Sequence, residues 1–136
     1  MADVQQSAYA LLGDLAINVF QYIKPHLDEI FTDVVNETVP NEERLMISSS
    51  VYNNAVWATG EIAVKNGAET APYVPKLLEH FIPLIQADYS PTNLKENLAI
   101  TLGRLGLVCN NLVAPYLEHF FKPWYVFIGK IKFLDN

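Results

Sequence analysis

A glycine followed twelve residues later by a proline occurs three times in this 136-residue chain: Gly13 with Pro25, Gly60 with Pro72, and Gly103 with Pro115. Each glycine lies in a helical apolar pattern with similar flanks, Leu12-Gly13-Asp14-Leu15, Thr59-Gly60-Glu61-Ile62 and Leu102-Gly103-Arg104-Leu105. The first two glycines are 47 positions apart and the second and third 43. A repeated landmark pair at such intervals demands a repeated supersecondary unit, so the chain must build its core by stacking copies of that unit.

Each proline suits the first turn of a helix, where its missing N–H costs nothing. Apolar residues follow at one-face helical spacing: Leu27, Ile30, Phe31, Val34 and Val35; Val74, Leu77, Leu78, Phe81, Ile82 and Ile85; Leu117, Phe120, Phe121, Trp124 and Tyr125. The spacing predicts one segment, 1–136, with helices over about 3–22, 25–36, 48–66, 72–87, 92–109 and 113–131. Ser90 is the expected N-cap of the fifth, with Pro91 behind it. Asn36 to Ser48, with Pro40, Glu37, Glu42 and Glu43, reads as a solvated acidic loop. No alternating strand pattern competes. Units of this length built from helix pairs point to an all-α HEAT-repeat solenoid of about six antiparallel helices in a right-handed superhelical stack, and general HEAT architecture, not periodicity, makes the glycine helices inner and the proline-led helices outer. Apolar residues stand at both ends, Val4, Ala8, Leu11 and Leu15 at one and Phe121, Trp124, Tyr125, Phe127, Ile128, Ile131 and Phe133 at the other. This predicts a fragment of a longer solenoid that self-associates when isolated.

On the helix over 48–66 the core stripe is Val51, Ala55, Ala58 and Ile62. Trp57 lies roughly 120 degrees from it, on a face shared with Asn53, Asn54 and Glu61. Ile100 takes the same place 43 positions on, beside Glu96, Asn97 and Arg104. Equivalent positions of adjacent inner helices lie roughly 8 to 10 Å apart, which puts Trp57 and Ile100 in one exposed apolar spot. The alternative is that Trp57 packs under a loop or against a neighbouring helix. An aromatic ringed by polar groups suits a recognition anchor, asparagines can hydrogen-bond an extended main chain, and Glu61 and Glu96 favour a basic one.

Several runs resemble the transportin family of nuclear import receptors, in the importin-beta superfamily. They are Ser7 to Leu15, Asn53-Asn54-Ala55-Val56-Trp57-Ala58-Thr59-Gly60-Glu61-Ile62, Glu96-Asn97-Leu98-Ala99-Ile100-Thr101-Leu102-Gly103-Arg104-Leu105-Gly106, Val113-Ala114-Pro115 and Lys122-Pro123-Trp124, in order over about residues 7–124. The resemblance implies cargo binding along the inner face. The ligand it implies is a disordered basic nuclear localisation signal ending in Pro-Tyr, with Trp57 and Ile100 expected to hold its upstream part, flanked by Asn53, Asn54, Asn97, Pro91 and Glu61. It implies nucleoporins and Ran GTPase as partners of the full-length receptor, with the Ran and Pro-Tyr sites N-terminal to this segment, and shuttling between cytoplasm and nucleus. The acidic loop around Pro40 runs longer than the family pattern, and the tail Gly129 to Asn136 breaks off where the family is expected to continue through further repeats.

Composition excludes several rivals. A net charge of -6 disfavours nucleic acid and anionic membranes. A single cysteine, Cys109, forms no internal disulfide, and no basic, apolar leader or run of eighteen apolar residues occurs. No cofactor or metal is expected, because His26, His80 and His119 lack metal-ligand spacing, Glu79-His80 and Glu118-His119 place neighbours on different parts of a helix, and Cys109 has no nearby histidine. There is no phosphate-binding glycine loop or Gly-x-Ser-x-Gly elbow, so the chain is not expected to be an enzyme. A HEAT scaffold for folded partners, such as a phosphatase regulatory subunit, is the alternative, and the response to a basic Pro-Tyr peptide separates the two.

Overall fold

The computed structural model describes the backbone of residues 2–134 and the side chains of residues 2–129. Among the described residues every regular element is helical: α1 (Ala2–Ile23), α2 (Leu27–Glu37), α3 (Glu42–Asn66), α4 (Val74–Gln86), α5 (Thr92–Val108), the single turn α6 (Asn110–Val113) and α7 (Leu117–Leu134). Helices α1, α3 and α5 pack side by side as one layer; α2, α4 and α7 form the second, α2 lying on α3 and α4 on α5. This is the all-α HEAT-type stack that the repeat implies, with Gly13, Gly60 and Gly103 on its three successive inner helices.

The core lies between the layers. Val51, Ala55, Ala58 and Ile62 are fully buried, as are Val74, Leu77, Phe81 and Ile85 of α4 and Leu94, Leu98 and Leu105 of α5. Burial of such side chains, at about 1.5 to 3 kcal/mol each, is what holds the two layers together.

The prolines occupy 3₁₀ turns at Lys24–His26, Gly67–Tyr73 and Ala114–Tyr116, and the α-helices begin just after them. Pro25 and Pro115 stand second in their turns, where the ring's fixed φ is already helical. Gly67 closes α3 at φ 63°, a conformation that a side chain would strain, and its N–H bonds the Ala63 carbonyl.

Three expectations need correction. The acidic stretch before Ser48 is not a loop: α3 starts at Glu42 and bends at Ser48, whose φ and ψ are -129° and 33°. The Asn41 side chain accepts from the Arg44 N–H at 2.9 Å, and Glu42 and Glu43 fall in the first turn, where the helix dipole favours them. Buried Leu45 and the Tyr52 hydroxyl, donating to Val39 O at 2.7 Å, pin this extension; it is too short to show a period. Second, Pro91 occupies the N-cap of α5, while the Ser90 hydroxyl turns back to donate to Leu84 O at 2.6 Å. Third, the α7 stripe is not one buried face, because Phe120 is buried whereas Leu117, Phe121 and Tyr125 are exposed. Of the apolar end residues, Ile131 and Phe133 lie outside the described side chains.

Candidate inner-face recognition site

The inner layer is stitched by polar bonds running from helix to helix. Asn54 Nδ2 donates to the Gln6 carbonyl of α1 at 3.0 Å, tying α3 to α1. Between α3 and α5, Asn97 Nδ2 donates to Asn53 Oδ1 at 2.7 Å, Arg104 Nη1 to Glu61 Oε1 at 2.8 Å, and Thr101 Oγ1 to the Val56 carbonyl at 3.0 Å. From α7, Trp124 Nε1 reaches the Ala99 carbonyl of α5 at 2.8 Å. Five of these groups belong to side chains that periodicity alone places off the core stripe.

Trp57 is half-buried and stands outside the core cluster, as does Ile100 on α5. The six-membered edge of the Trp57 ring lies over Gly13. A Cβ built there would fall 2.6 Å from Cε3 and Cη2, and closer still to Cζ3. The side chain therefore packs on the neighbouring inner helix and keeps part of its surface in solvent. Gly60 serves the next junction, facing Thr101 Oγ1 at 2.9 Å and the Arg104 stem at 3.3 Å from a built Cβ. Gly103 faces Trp124 at 3.6 Å, an ordinary contact.

The structure brings Asn53 to Asn97 and Glu61 to Arg104, places Trp57 and Ile100 on adjacent helices, and puts Pro91 at the mouth of α5. It assigns Asn54 to a structural bond. The Asn53–Asn97 bond uses one donor and one acceptor. The remaining Asn53 amide hydrogens and Asn97 oxygen can respectively donate to and accept from a passing main chain. Glu61, its side chain 16% exposed, shares its charge with Arg104 and offers a basic ligand less than an isolated carboxylate would. Sequence reasoning missed Gln6, Arg104 as a partner and Gly13 as a seat. Glu61 and Arg104 are opposite in sign and separated by the repeat interval of 43, a signal that was there to be used.

Elsewhere the titratable groups are dispersed. Among the described residues no group of three His, Cys, Asp or Glu side chains stands close enough to hold a metal. Burial pushes the Cys109 thiol up, and His119 lies 3.7 Å from its exposed neighbour Glu118. His80 is held below the usual histidine range, chiefly by burial, and its Nδ1 has no hydrogen-bond partner.

The fold and this face define a HEAT-type helical-repeat segment. No family model matches the chain. Over all 136 residues it is 42% identical to transportin-1 of mouse and of human, and over 129 residues, 95% of its length, 40% identical to importin subunit beta-2 of Schizosaccharomyces pombe. It covers 14% of the length of each of these relatives. The chain is a transportin homologue, the counterpart of one segment of those proteins.

Proposed function

We propose that this chain acts as part of a nuclear import receptor, binding the extended, basic nuclear localisation signal of a cargo protein along the face of α1, α3 and α5. The observation that carries the reading is homology to transportins, 42% identity over the whole chain. The signal class is the one that ends in Pro-Tyr. Trp57 and Ile100 supply the apolar contacts, Asn53 and Asn97 the main-chain hydrogen bonds, and Pro91 one edge; Glu61 adds weak attraction for basic residues. Asn54 is of secondary importance, because its amide is already engaged with α1. Partners beyond the cargo, nucleoporins and Ran GTPase, would be met by other parts of a longer receptor, which would shuttle between cytoplasm and nucleus. The role is binding without catalysis.

The test is titration of the chain with a disordered basic peptide ending in Pro-Tyr, against an acidic peptide of equal length. Preferential binding of the basic peptide, with chemical-shift changes on Trp57 and Ile100, is the expected result. Indifference to both, with capture of a folded protein on the same face, would favour the scaffold reading instead.

A further inference from the structure

Each repeat glycine of the inner helices is followed four residues later by an exposed apolar side chain: Gly13 by Ile17, Gly60 by Val64 and Gly103 by Leu107, which are 42, 46 and 80% exposed. All three stand outside the core cluster. Four residues carry the chain about 40° past a full turn, so each side chain lies near the side that its glycine presents. Gly13 faces Trp57 of α3, and Gly60 faces Thr101 and Arg104 of α5. Ile17 and Val64 are therefore flanked by helices that the chain itself supplies, and their exposure belongs to the inner face, not to either end of the stack.

Val64 and Leu107 also follow Trp57 and Ile100 by seven residues, two turns on and within about 20° of the same direction. The inner face thus carries two apolar lines that cross the helices, about 10 Å apart. Between them lie Asp14, Glu61 and Arg104, again at one repeat position, and exposed Asn18 and Lys65 border the second line. A line one side chain wide with polar borders suits a thin, extended chain, whereas a folded partner needs a broader apolar patch. Three residues of extended chain span about 10 Å, the distance from one line to the other. Resting on the cargo-binding reading above, we infer that Ile17, Val64 and Leu107 form a second contact line for the same localisation signal, taking an apolar side chain three residues from the one that meets Trp57. Polyproline-II geometry, with three residues per turn and a rise of about 3.1 Å per residue, puts two such side chains on one face of the ligand.

Titration of the full chain with three disordered basic peptides ending in Pro-Tyr tests this. One carries two upstream leucines three positions apart; in the others alanine replaces one leucine or the other. The unaltered chain should bind the two-leucine peptide about three- to tenfold more tightly than either single-leucine peptide. The double variant Ile17→Gln with Val64→Gln should lose that advantage, bind the single-leucine peptides as before, and keep its circular-dichroism melt. Should it fail to fold, Leu107→Gln, at the most exposed of the three positions, should reduce the same advantage. Equal affinity of the unaltered chain for all three peptides, or an advantage that survives in the variants, would overturn the second line; the cargo reading would still stand if Trp57→Ala weakened every peptide. Failure of the unaltered chain to bind any of the peptides would overturn the cargo reading and this inference with it.

Discussion

The ring of Trp57 occupies the space that a side chain at Gly13 would need. That relationship explains how a tryptophan can stand off the core stripe of its own helix and still be held: its ring edge is seated on the preceding inner helix, which fixes the orientation of its solvent-facing part. An aromatic side chain ordered before a ligand arrives loses less entropy on binding.

Gly13→Ala should therefore be the costliest of the glycine-to-alanine changes on the inner helices. The new methyl meets a rigid ring pinned between two helices, and overpacking of this kind costs about 1 to 3 kcal/mol. Gly60→Ala, opposed by a hydroxyl and a flexible arginine stem, should cost less. Gly129→Ala meets nothing within 4 Å and should stabilise by up to ~1 kcal/mol through helix propensity. Thermal melts of the three variants check the order, and equal losses would refute the seat.

The amide pair across α3 and α5 should show energetic coupling. Removing either Asn53 or Asn97 leaves the other short of a partner, at about 1 kcal/mol each, whereas the double alanine variant should lose less than the sum. A double-mutant cycle in urea measures this, and additive losses would mean that the bond does not persist in solution.

Stability should fall as the solution is acidified below the ordinary histidine range. His80, folded, has its pKa depressed by burial, so near and below pH ~6.5 the unfolded chain binds a proton more readily than the native one. Its contribution is fully present above the unfolded pKa and is lost as pH falls toward the folded one. Melts at pH 7.5 and 5.5 should differ less in His80→Gln than in the unaltered chain; an identical difference in both would assign the effect elsewhere.

Arg104→Gln should tighten binding of a basic peptide, since it removes the guanidinium that shares the Glu61 charge at 2.8 Å. For a partly exposed pair the gain is about two- to fivefold at low salt and is lost at high salt. Glu61→Gln should weaken binding by a smaller factor. Titration of both variants at two salt concentrations checks the sign.

The stack was legible in the glycine-proline landmarks because repeat architecture writes itself into intervals, and the buried stripe of α3 followed from period alone. What escaped was set by neighbours. The first six residues of α3 are too few to display a helical period, and only the Asn41 cap reveals them. Ser90 offered the chemistry of an N-cap, yet the Leu84 carbonyl, needing a donor in a buried corner, took its hydroxyl. The bond from Asn54 to Gln6 O joins a side chain to a backbone group, and no pair of residue types announces it. The off-stripe position of Trp57 was readable, whereas its seat on Gly13 required knowing which helices adjoin.

The most direct test of the recognition face is Trp57→Ala, measured by peptide titration and thermal melting on the same protein. A recognition anchor should lose about 2 kcal/mol or more of binding, roughly thirtyfold in affinity. Because the side chain is only half-buried, its melt should lose less than the ~3 to 5 kcal/mol expected when a fully buried tryptophan is removed. Ile100→Ala should follow the same pattern with a smaller loss. A large melting loss with unchanged affinity for the basic peptide would contradict the account and make Trp57 a structural residue seated on Gly13.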